Sequence, residues 1–387
     1  MRSADVVIIG CGVIGASVAY HLAKKGCSNV LVLERAPEPG QGSTNKATGG
    51  FRAQFGSEIN VRLSLLSRQK LRVFHDELGV DPGYRTCGYL FIANSEQQLE
   101  SLKRAQLVQK AAGLMEAKTL DCERIAEINP AASLEGAVGG TFCPTDGFIV
   151  AMQILSGYQQ AAKRLGVRFE FDVSVTGFGM SGNSRIETVK GCSGEVAAGC
   201  VVNAAGAWAC EIADLAGFRL PVTPLRRQVA ITEPTGILSA GMPMTVFVDD
   251  GFHFRVREGR VMLLWPDDAP SKNHPEPGIS DEWLKEVQEK TRKWVPSLKN
   301  VLVDRNCCWS GLYEMSPDKH VLLGAASEVR NLYLVNGSSG HGVMHAPALG
   351  QLLAETICDG RASSLDVHCL RPSRFEEGEP ISSPQLL

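Results

Sequence analysis

The chain has 387 residues, which is more than one hydrophobic core usually serves, so two domains are expected. Hydrophobic residues make up 44% of the sequence and charged residues 21%, as in ordinary globular proteins. The formal net charge of −3 creates no field that favours nucleic acid, so no such partner is expected. The twelve cysteines include no C-x-x-C pair, which argues against a zinc site and predicts mostly free thiols in a reducing cytoplasm. No apolar run reaches eighteen residues, so no membrane span is expected.

The first predicted elements form a βαβ unit. Residues 5–9 predict a buried strand, an amphipathic helix follows to about Lys25, and residues 29–33 predict a second strand. Gly10, Gly12 and Gly15 lie where a tight turn, a close pyrophosphate and a closely packed helix each require glycine. Glu34 ends the second strand, where a carboxylate accepts from ribose hydroxyls, which favours FAD or NAD over NADP.

The other predicted elements divide the chain into two domains. They are helices at 59–78, 97–112, 151–165 and 281–294, strands at 167–171, 196–203, 228–232, 245–248, 252–256, 261–265 and 332–336, and a final helix to about Cys358. The predicted class is α/β plus α+β, a Rossmann-like FAD-binding domain with an inserted antiparallel-sheet substrate domain. The FAD-binding domain takes residues 1–80, 145–217 and 305–370, the substrate-binding domain takes 81–144 and 218–304, and 371–387 is a loose C-terminal tail.

Two loops of small residues suit FAD rather than NAD, although composition alone favours an ordinary connection for each of them. The segment 41–54 reads QGSTNKATGGFRAQ and follows closely on the ribose acid, which suits a cofactor that continues beyond its pyrophosphate. The loop 337–342 reads GSSGHG and opens the final predicted helix, where backbone N–H groups can approach a flavin ring.

Six segments in this order carry a family resemblance. They are DVVIIGCGVIGASVAYHLAKKG with VLVLER, GSTNKATGGFRAQFG, VVNAAGAWA, PLRRQVAITEP, WSGLYEMSPDKHVLLG and NGSSGHGVMHAPALGQLLAE. Through them, residues 5–360 resemble the D-amino-acid-oxidase-like FAD superfamily. Within that superfamily the chain is most similar to sarcosine oxidases, sarcosine dehydrogenases and the catalytic subunit of dye-linked proline dehydrogenases.

The resemblance implies a set of cofactor contacts. Those to the ADP part of FAD are Gly10, Gly12, Val13, Ile14, Gly15, Glu34 and Arg35, with a backbone contact from Val173 to adenine. Those beneath the pyrophosphate and flavin, and beside the cofactor, are Ser43, Thr44, Thr48, Gly49, Gly50, Ala205, Gly206 and Trp208. Those against the isoalloxazine are Gly311, Gly340, His341, Gly342, Val343 and Met344.

The resemblance also implies catalytic residues and three departures from the monomeric sarcosine oxidases. Arg52 matches an arginine that binds the substrate carboxylate, His253 and Arg255 lie on the strand that roofs the substrate, and His341 lies against the flavin. Gly311 stands where those oxidases link a cysteine to the flavin, so non-covalent FAD is expected. Met344 and Met262 stand where those oxidases have lysines.

The implied function is FAD-dependent oxidation of the C–N bond of a small secondary amino acid such as sarcosine. Hydride transfer to flavin N5 gives an imine that hydrolyses, with oxygen as acceptor and hydrogen peroxide as product. One alternative is a dye- or carrier-linked dehydrogenase of proline, a D-amino acid or an opine. Another is a non-catalytic FAD-binding assembly factor. The implied partners are a small amino acid and either oxygen or an electron carrier, and the expected location is cytoplasmic.

Overall fold

The computed structural model describes residues 2–182, 184–266 and 278–382. Two large sheets organise this part of the chain. The nucleotide sheet contains β1 (Arg2–Ile9), β2 (Val30–Leu33), β8 (Arg168–Glu170), β9 (Val175–Ser181), β10 (Arg185–Gly191), β11 (Gly194–Asn203), β17 (Leu322–Ala325) and β18 (Leu332–Asn336). Its centre is parallel: β1 lies between β11 and β2, β8 follows β2, and β18 follows β11. Parallel strands are joined by crossovers that usually contain a helix. The predicted βαβ unit, β1–α1–β2, forms part of the parallel centre of this sheet.

The helices cover the nucleotide sheet and the surface between the two sheets. They are α1 (Val13–Lys24), α2 (Glu58–Arg72), α3 (Phe74–Leu78), α4 (Glu96–Ala111), α5 (Cys122–Ile128), α6 (Ala151–Arg164), α7 (Ala209–Leu215), α8 (Asp281–Trp294) and α9 (Gly342–Asp359). Val6 and Ile8 of β1 pack into the core with α1, α6 and α9. Val7 and Ile9 point to the opposite face, toward α7. A strand buried on both faces explains the unbroken apolar run at the start of the chain.

The second sheet, the substrate sheet, comes from the inserted segments. It contains β4 (Tyr89–Ala93), β5 (Lys118–Leu120), β6 (Gly139–Cys143), β12 (Thr223–Ile231), β13 (Met244–Phe247), β14 (His253–Arg257), β15 (Arg260–Leu264) and β16 (Trp309–Met315). The pairing is antiparallel except between β4 and β13, which run parallel where the two inserted segments join. A short ladder of β3 (Gly50–Phe51) and β7 (Gly147–Phe148) lies beside it. The predicted fold class is confirmed.

The two faces of the substrate sheet differ in character because side chains alternate along each strand. On one face Leu263 and Phe254 pack with Trp283 and Val287 of α8 in an apolar core. The other face, which we call the site face, carries side chains that pair across the strands in register. They are Tyr89, Phe91, Val246, His253, Arg255, Met262, Leu264, Arg227, Gly311 and Tyr313. The site face is therefore where polar residues of the insertion meet the nucleotide domain.

Two expectations about domain limits differ from the observed pairing. The strand β16 lies beyond the expected boundary at residue 305, yet it pairs with β12 along its length and so belongs to the substrate sheet. The segment from residue 371 was expected to be loose, but Arg374 is fully buried and donates to both carboxylate oxygens of Asp318, at 2.9 and 3.0 Å. A buried guanidinium needs such a partner, so the residues around Arg374 are packed rather than loose.

Two further properties concern the described residues only. No helix among them is long and apolar enough to cross a membrane. Within the same ranges, no group of three or more His, Cys, Asp or Glu side chains could hold a metal ion.

Candidate functional site

The glycine turn between β1 and α1 has the geometry that a dinucleotide site requires. Gly10 has a φ of 106°, which favours glycine, and a β-carbon at Gly15 would lie 2.1 Å from the carbonyl oxygen of Gly10. Gly12 caps α1 without a side-chain hydrogen bond, and Val13 N–H donates to Thr44 Oγ1 at 3.1 Å. Ile14 lies close to Gly342, so the first turns of α1 and α9 approach each other. The turn thus presents a helix N-terminus beside the loop that contains Thr44.

Glu34 lies directly after β2 and is oriented by the backbone. Its Oε2 accepts from Cys11 N–H at 2.7 Å and its Oε1 accepts from Ala36 N–H at 2.9 Å. Each carboxylate oxygen has further acceptor capacity, which is what binding of a ribose hydroxyl requires. The neighbouring Arg35 guanidinium stacks 3.8 Å above the ring of Trp208. The predicted ADP-binding residues are therefore together at the carboxyl end of β2.

Val173 has two backbone groups that could make the predicted adenine contact, and one of them, the N–H, is engaged within the protein. Val173 is buried in the core beneath the nucleotide sheet, and its N–H donates to the carbonyl oxygen of Glu34 at 2.9 Å. The N–H is therefore already used.

The segment with Ala205 and Gly206 lies beside the glycine turn. It begins where Ala205 N–H donates to Asn203 Oδ1 at 3.1 Å.

The small-residue loop at 41–50 crosses from the nucleotide domain to the substrate sheet. Ser43 Oγ donates to the carbonyl oxygen of Leu312 in β16 at 2.6 Å. The carbonyl oxygen of Thr48 accepts from Arg255 Nη1 at 2.8 Å, and Gly49 lies beside that guanidinium. Gly50 belongs to β3. Both contacts are to strands of the substrate sheet, and Thr44 of the same loop accepts from Val13 N–H, so the loop lies between the first turn of α1 and the substrate sheet.

The C-terminal loop reaches the same region from the other side. Gly340 has a φ of 88°, and a β-carbon there would lie 2.4 Å from the ring of Tyr313. His341 is the N-cap residue of α9, followed by Gly342, Val343 and the buried Met344. Met344 packs in the apolar core with α1 and α2. The predicted flavin loop is thus a helix N-terminus that lies against β16.

Arg52 is a buried cation beside Phe91 of the site face. Its Nη1 donates to the carbonyl oxygen of Gln54 at 2.6 Å, and its guanidinium lies 4.0 Å from the ring centre of Phe55 and 5.7 Å from that of Phe91. Among the described residues no carboxylate forms a salt bridge with it. Burial lowers the pKa of Arg52, whereas Tyr89, Asp146 and Tyr313 act in the opposite direction. A buried guanidinium with donors to spare is suited to an anionic ligand.

Both predicted histidines lie near enough to this cation to feel its charge, and their lowered pKa values favour the neutral form. Burial lowers the pKa of His253 to about 4, with further lowering by Arg52 and Arg227, and His253 Nδ1 bonds the carbonyl oxygen of Gly251. Burial and the charge of Arg52 hold the pKa of His341 well below its usual range. The His341 ring packs edge-on against Phe55, with 4.8 Å between ring centres. Neutral imidazoles add hydrogen-bonding groups to the site without adding charge.

Arg255 has different surroundings from the other predicted catalytic residues. Its guanidinium stacks 3.5 Å above the ring of Phe148 and donates to Thr48, and burial lowers its pKa to about 10. These contacts hold the small-residue loop against β14. Its predicted catalytic role stays a prediction, as do the roles of the other site residues.

Several residues at the site went unnoticed in the sequence. Tyr313, Tyr89, Phe55 and Arg227 all interact with Arg52 or with the histidines around it. Tyr313 can be inferred from the sequence, because it lies two residues after Gly311 and therefore on the same face of β16. Phe55 lies three residues after Arg52 in the same small-residue segment, whereas Tyr89 carries no such signal because its segment is distant in the chain.

We expect the flavin to be held without a covalent bond. Gly311 offers no nucleophile, and a β-carbon there would lie 2.9 Å from Cβ of Lys46, which occupies the space beside it. The nearest thiols in sequence, Cys307 and Cys308, both bond the turn at Asp304. Acid precipitation should therefore release all of the flavin into the supernatant. Colour in the pellet, with a flavin-modified peptide at Cys307 or Cys308, would contradict this expectation.

The residues fit FAD on structural grounds. At the start of α1 the N-cap residue, Gly12, supplies no side-chain acceptor, and only Val13 N–H donates to Thr44 Oγ1. A β-carbon at Gly12 would approach only that oxygen, at 3.3 Å, so the space beside the backbone is open to a pyrophosphate. Beside Gly342 and Ile14, Ser338 Oγ is buried and has no hydrogen-bond partner among the described residues. A buried hydroxyl without a partner is costly, and a bound polar molecule would satisfy it.

Comparisons with known proteins agree with this geometry. The family model DAO, described as FAD dependent oxidoreductase, matches residues 5–356. FAD-dependent oxidoreductase domain-containing protein 1 of Xenopus laevis is 30% identical, with coverage of 98% of this chain and 84% of the relative. Mitochondrial sarcosine dehydrogenase of Mus musculus is 28% identical over 93% of this chain but only 40% of its own length. The crystal structure of L-proline dehydrogenase from P. horikoshii superposes with a TM-score of 0.90 at 31% identity, covering 98% of this chain and 100% of that one.

Proposed function

Because the chain belongs to the DAO family of FAD-dependent oxidoreductases, we propose that it oxidises the C–N bond of a small secondary amino acid, such as sarcosine or proline, to an imine that hydrolyses. The observation that carries this proposal is Arg52, a buried guanidinium without a carboxylate partner among the described residues. The relatives named for sarcosine and proline support the substrate class. Bound FAD supplies the two-electron acceptor for this chemistry.

The residues of the chain bind and orient the substrate. Arg52 grips the carboxylate with two parallel hydrogen bonds, which fixes the position of the amino acid. The rings of Phe55 and Phe91 flank the guanidinium and keep water away from the ion pair. The Arg227 guanidinium lies 5.5 Å from the ring centre of Tyr313. Two guanidinium groups disfavour an ammonium ion nearby, which lowers the pKa of the substrate amine and favours the neutral form that oxidation requires.

Anaerobic reduction of the flavin tests the substrate class. The holoenzyme is mixed with sarcosine, L-proline, glycine, D-alanine and an opine, and the loss of visible flavin absorbance is followed. We expect sarcosine or proline to bleach the flavin fastest. Bleaching by D-alanine or an opine alone would replace the proposed substrate. A flavin that no member of the panel reduces, in a protein that holds FAD, would favour the assembly-factor alternative.

We propose oxygen as the electron acceptor, with slow reoxidation, and a specific observation favours a carrier as the second candidate. Met262 is fully buried in an apolar cluster with Val229, Ile231 and Leu264, on the same face as Arg255. A methionine supplies no positive charge to stabilise superoxide, so reaction with oxygen is expected to be slow. Lys272, a conceivable substitute for the missing charge, lies outside the described residues.

Mixing the reduced protein with air-saturated buffer separates these acceptors. If oxygen is the acceptor, air alone should restore the flavin absorbance over seconds, which is slow for an oxidase, and one hydrogen peroxide should form for each imine. Recovery over minutes, with rapid turnover only after an artificial dye is added, would establish a carrier-linked dehydrogenase instead. In that case Met262→Lys should accelerate reoxidation by air, because it adds a cation to the site face.

A further inference from the structure

Asp146 is a buried carboxylate that the reaction as proposed does not use. It lies in the turn between β6 and β7 and has no exposed surface. Its backbone carbonyl oxygen accepts from Gly88 N–H at 2.8 Å, which fixes the turn beside the start of β4. Its side chain points away from that contact toward the segment of Arg52. A buried carboxylate requires hydrogen-bond donors around it, and the identity of these donors indicates its role.

The Asp146 carboxylate holds the two residues that follow Arg52. Oδ1 accepts from Ala53 N–H at 2.8 Å, and Oδ2 accepts from Gln54 Nε2 at 3.2 Å. Gln54 Nε2 also donates to the carbonyl oxygen of Tyr89 at 3.0 Å, so this side chain bridges the carboxylate and the substrate sheet. The Gln54 carbonyl oxygen then accepts from Arg52 Nη1 at 2.6 Å. Gln54 therefore links Asp146 to the guanidinium, because its side chain bonds the carboxylate and its backbone carbonyl accepts from Arg52.

The charge of Asp146 reaches Arg52 without pairing with it. The two side chains form no salt bridge, yet each influences the pKa of the other in the direction expected for opposite charges. A carboxylate in direct contact would occupy the donors that the substrate needs. A carboxylate at longer range offsets the cost of burying the guanidinium and leaves its donors available.

We propose that Asp146 is a positioning residue for Arg52, acting through Ala53 and Gln54 to hold the guanidinium toward the substrate carboxylate. The inference rests on the proposed role of Arg52 in carboxylate binding. In this proposal Asp146 increases the affinity of the site for the substrate and takes no part in the chemical step. The same argument makes Gln54 the second member of this arrangement, because its side chain joins the carboxylate to β4.

The test measures binding of 2-furoate, a carboxylate without an oxidisable amine, through the perturbation of the flavin spectrum in the holoenzyme. Asp146→Asn places an amide N–H against Gln54 Nε2, and should raise the Kd for 2-furoate and the KM for the amino acid about tenfold. The kcat should stay within about threefold of wild type, since the role is in ground-state binding as much as in the transition state. Binding of 2-furoate as tight as in wild type, or tighter, would overturn the inference.

Two further variants keep the test decisive. Gln54→Met removes the same link from the other side, and the double variant should bind 2-furoate no worse than the weaker single variant, because both act on one contact. Additive losses would overturn the proposed link. Asp250→Asn is the matched control: Asp250 accepts from Lys290 and Trp294 of α8, which packs on the face of the substrate sheet opposite the site face, so its loss should lower the Tm without changing the Kd.

Failure of this inference can be told apart from failure of the proposed function. If Arg52→Ala abolishes 2-furoate binding and Asp146→Asn does not weaken it, the carboxylate site holds and only the positioning role is lost. If Arg52→Ala leaves 2-furoate binding unchanged, the carboxylate site itself is elsewhere, and the positioning role falls with it.

Discussion

Replacing Arg52 with alanine should raise the KM for the amino acid substrate by about two to three powers of ten. The change removes a bidentate, charge-assisted contact worth about 3–4 kcal/mol in a site shielded from water, and each 1.4 kcal/mol corresponds to about a factor of ten. Flavin content should not change, because the guanidinium contacts Gln54, Phe55 and Phe91 and not the glycine turn. Steady-state kinetics and the ratio of flavin to protein absorbance measure the two quantities.

Two comparisons show whether the effect comes from the carboxylate. Pyrrolidine, which has the amine but no carboxylate, should react equally poorly with wild type and with Arg52→Ala. Arg255→Ala serves as the matched variant, since Arg255 is also a buried arginine stacked on an aromatic ring. Its loss should weaken FAD retention through Thr48 more than it raises the KM. A larger KM effect from Arg255→Ala would transfer the carboxylate role to that residue.

Replacing Gly12 with valine should remove nearly all FAD from a protein that still folds. Gly12 has a φ of −75° and a ψ of 179°, a conformation that valine adopts readily, and its β-carbon would meet only Thr44 Oγ1 at 3.3 Å. The added methyl groups therefore extend into the space where the pyrophosphate approaches the backbone. We expect the Kd for FAD to rise by at least about a hundredfold, roughly 3 kcal/mol.

Gly12 separates loss of cofactor from loss of fold better than its neighbours do. A β-carbon at Gly10 or Gly15 would lie 2.5 or 2.1 Å from a carbonyl oxygen, so those variants disrupt the turn itself. Gly177→Val is the control, because Gly177 lies in β9 with only a lysine carbon, 3.9 Å away, near its β-carbon position. That variant should be as yellow as wild type. A folded Gly12→Val protein with full flavin content would contradict the assignment of the turn.

Much of the fold could be predicted because its signals are local. The strand, glycine turn and helix at residues 2–24 follow from an apolar run, from three glycine spacings and from an amphipathic pattern within a short stretch. The helix predicted at 59–78 is two helices, because the chain breaks at Val73, where φ is −105° and ψ is 7°. The packed segment around Arg374 could not be predicted, since its composition is polar and its partner Asp318 is distant in sequence.

By itself the sequence determined the dinucleotide turn and the acid at Glu34, because each requires a particular residue type at a particular spacing, whereas Arg52 followed only from the family resemblance of its segment. Only the tertiary structure decided what surrounds Arg52. Phe55, Tyr89, Asp146, Tyr313 and His341 come from five separate segments that meet when the substrate sheet packs against the nucleotide domain. For Tyr89 of β4 and Tyr313 of β16 the meeting depends on strand register, because a shift of one residue would turn either side chain to the opposite face. For Phe55, Asp146 and His341 it depends on how the turns and loops that carry them pack against the substrate sheet.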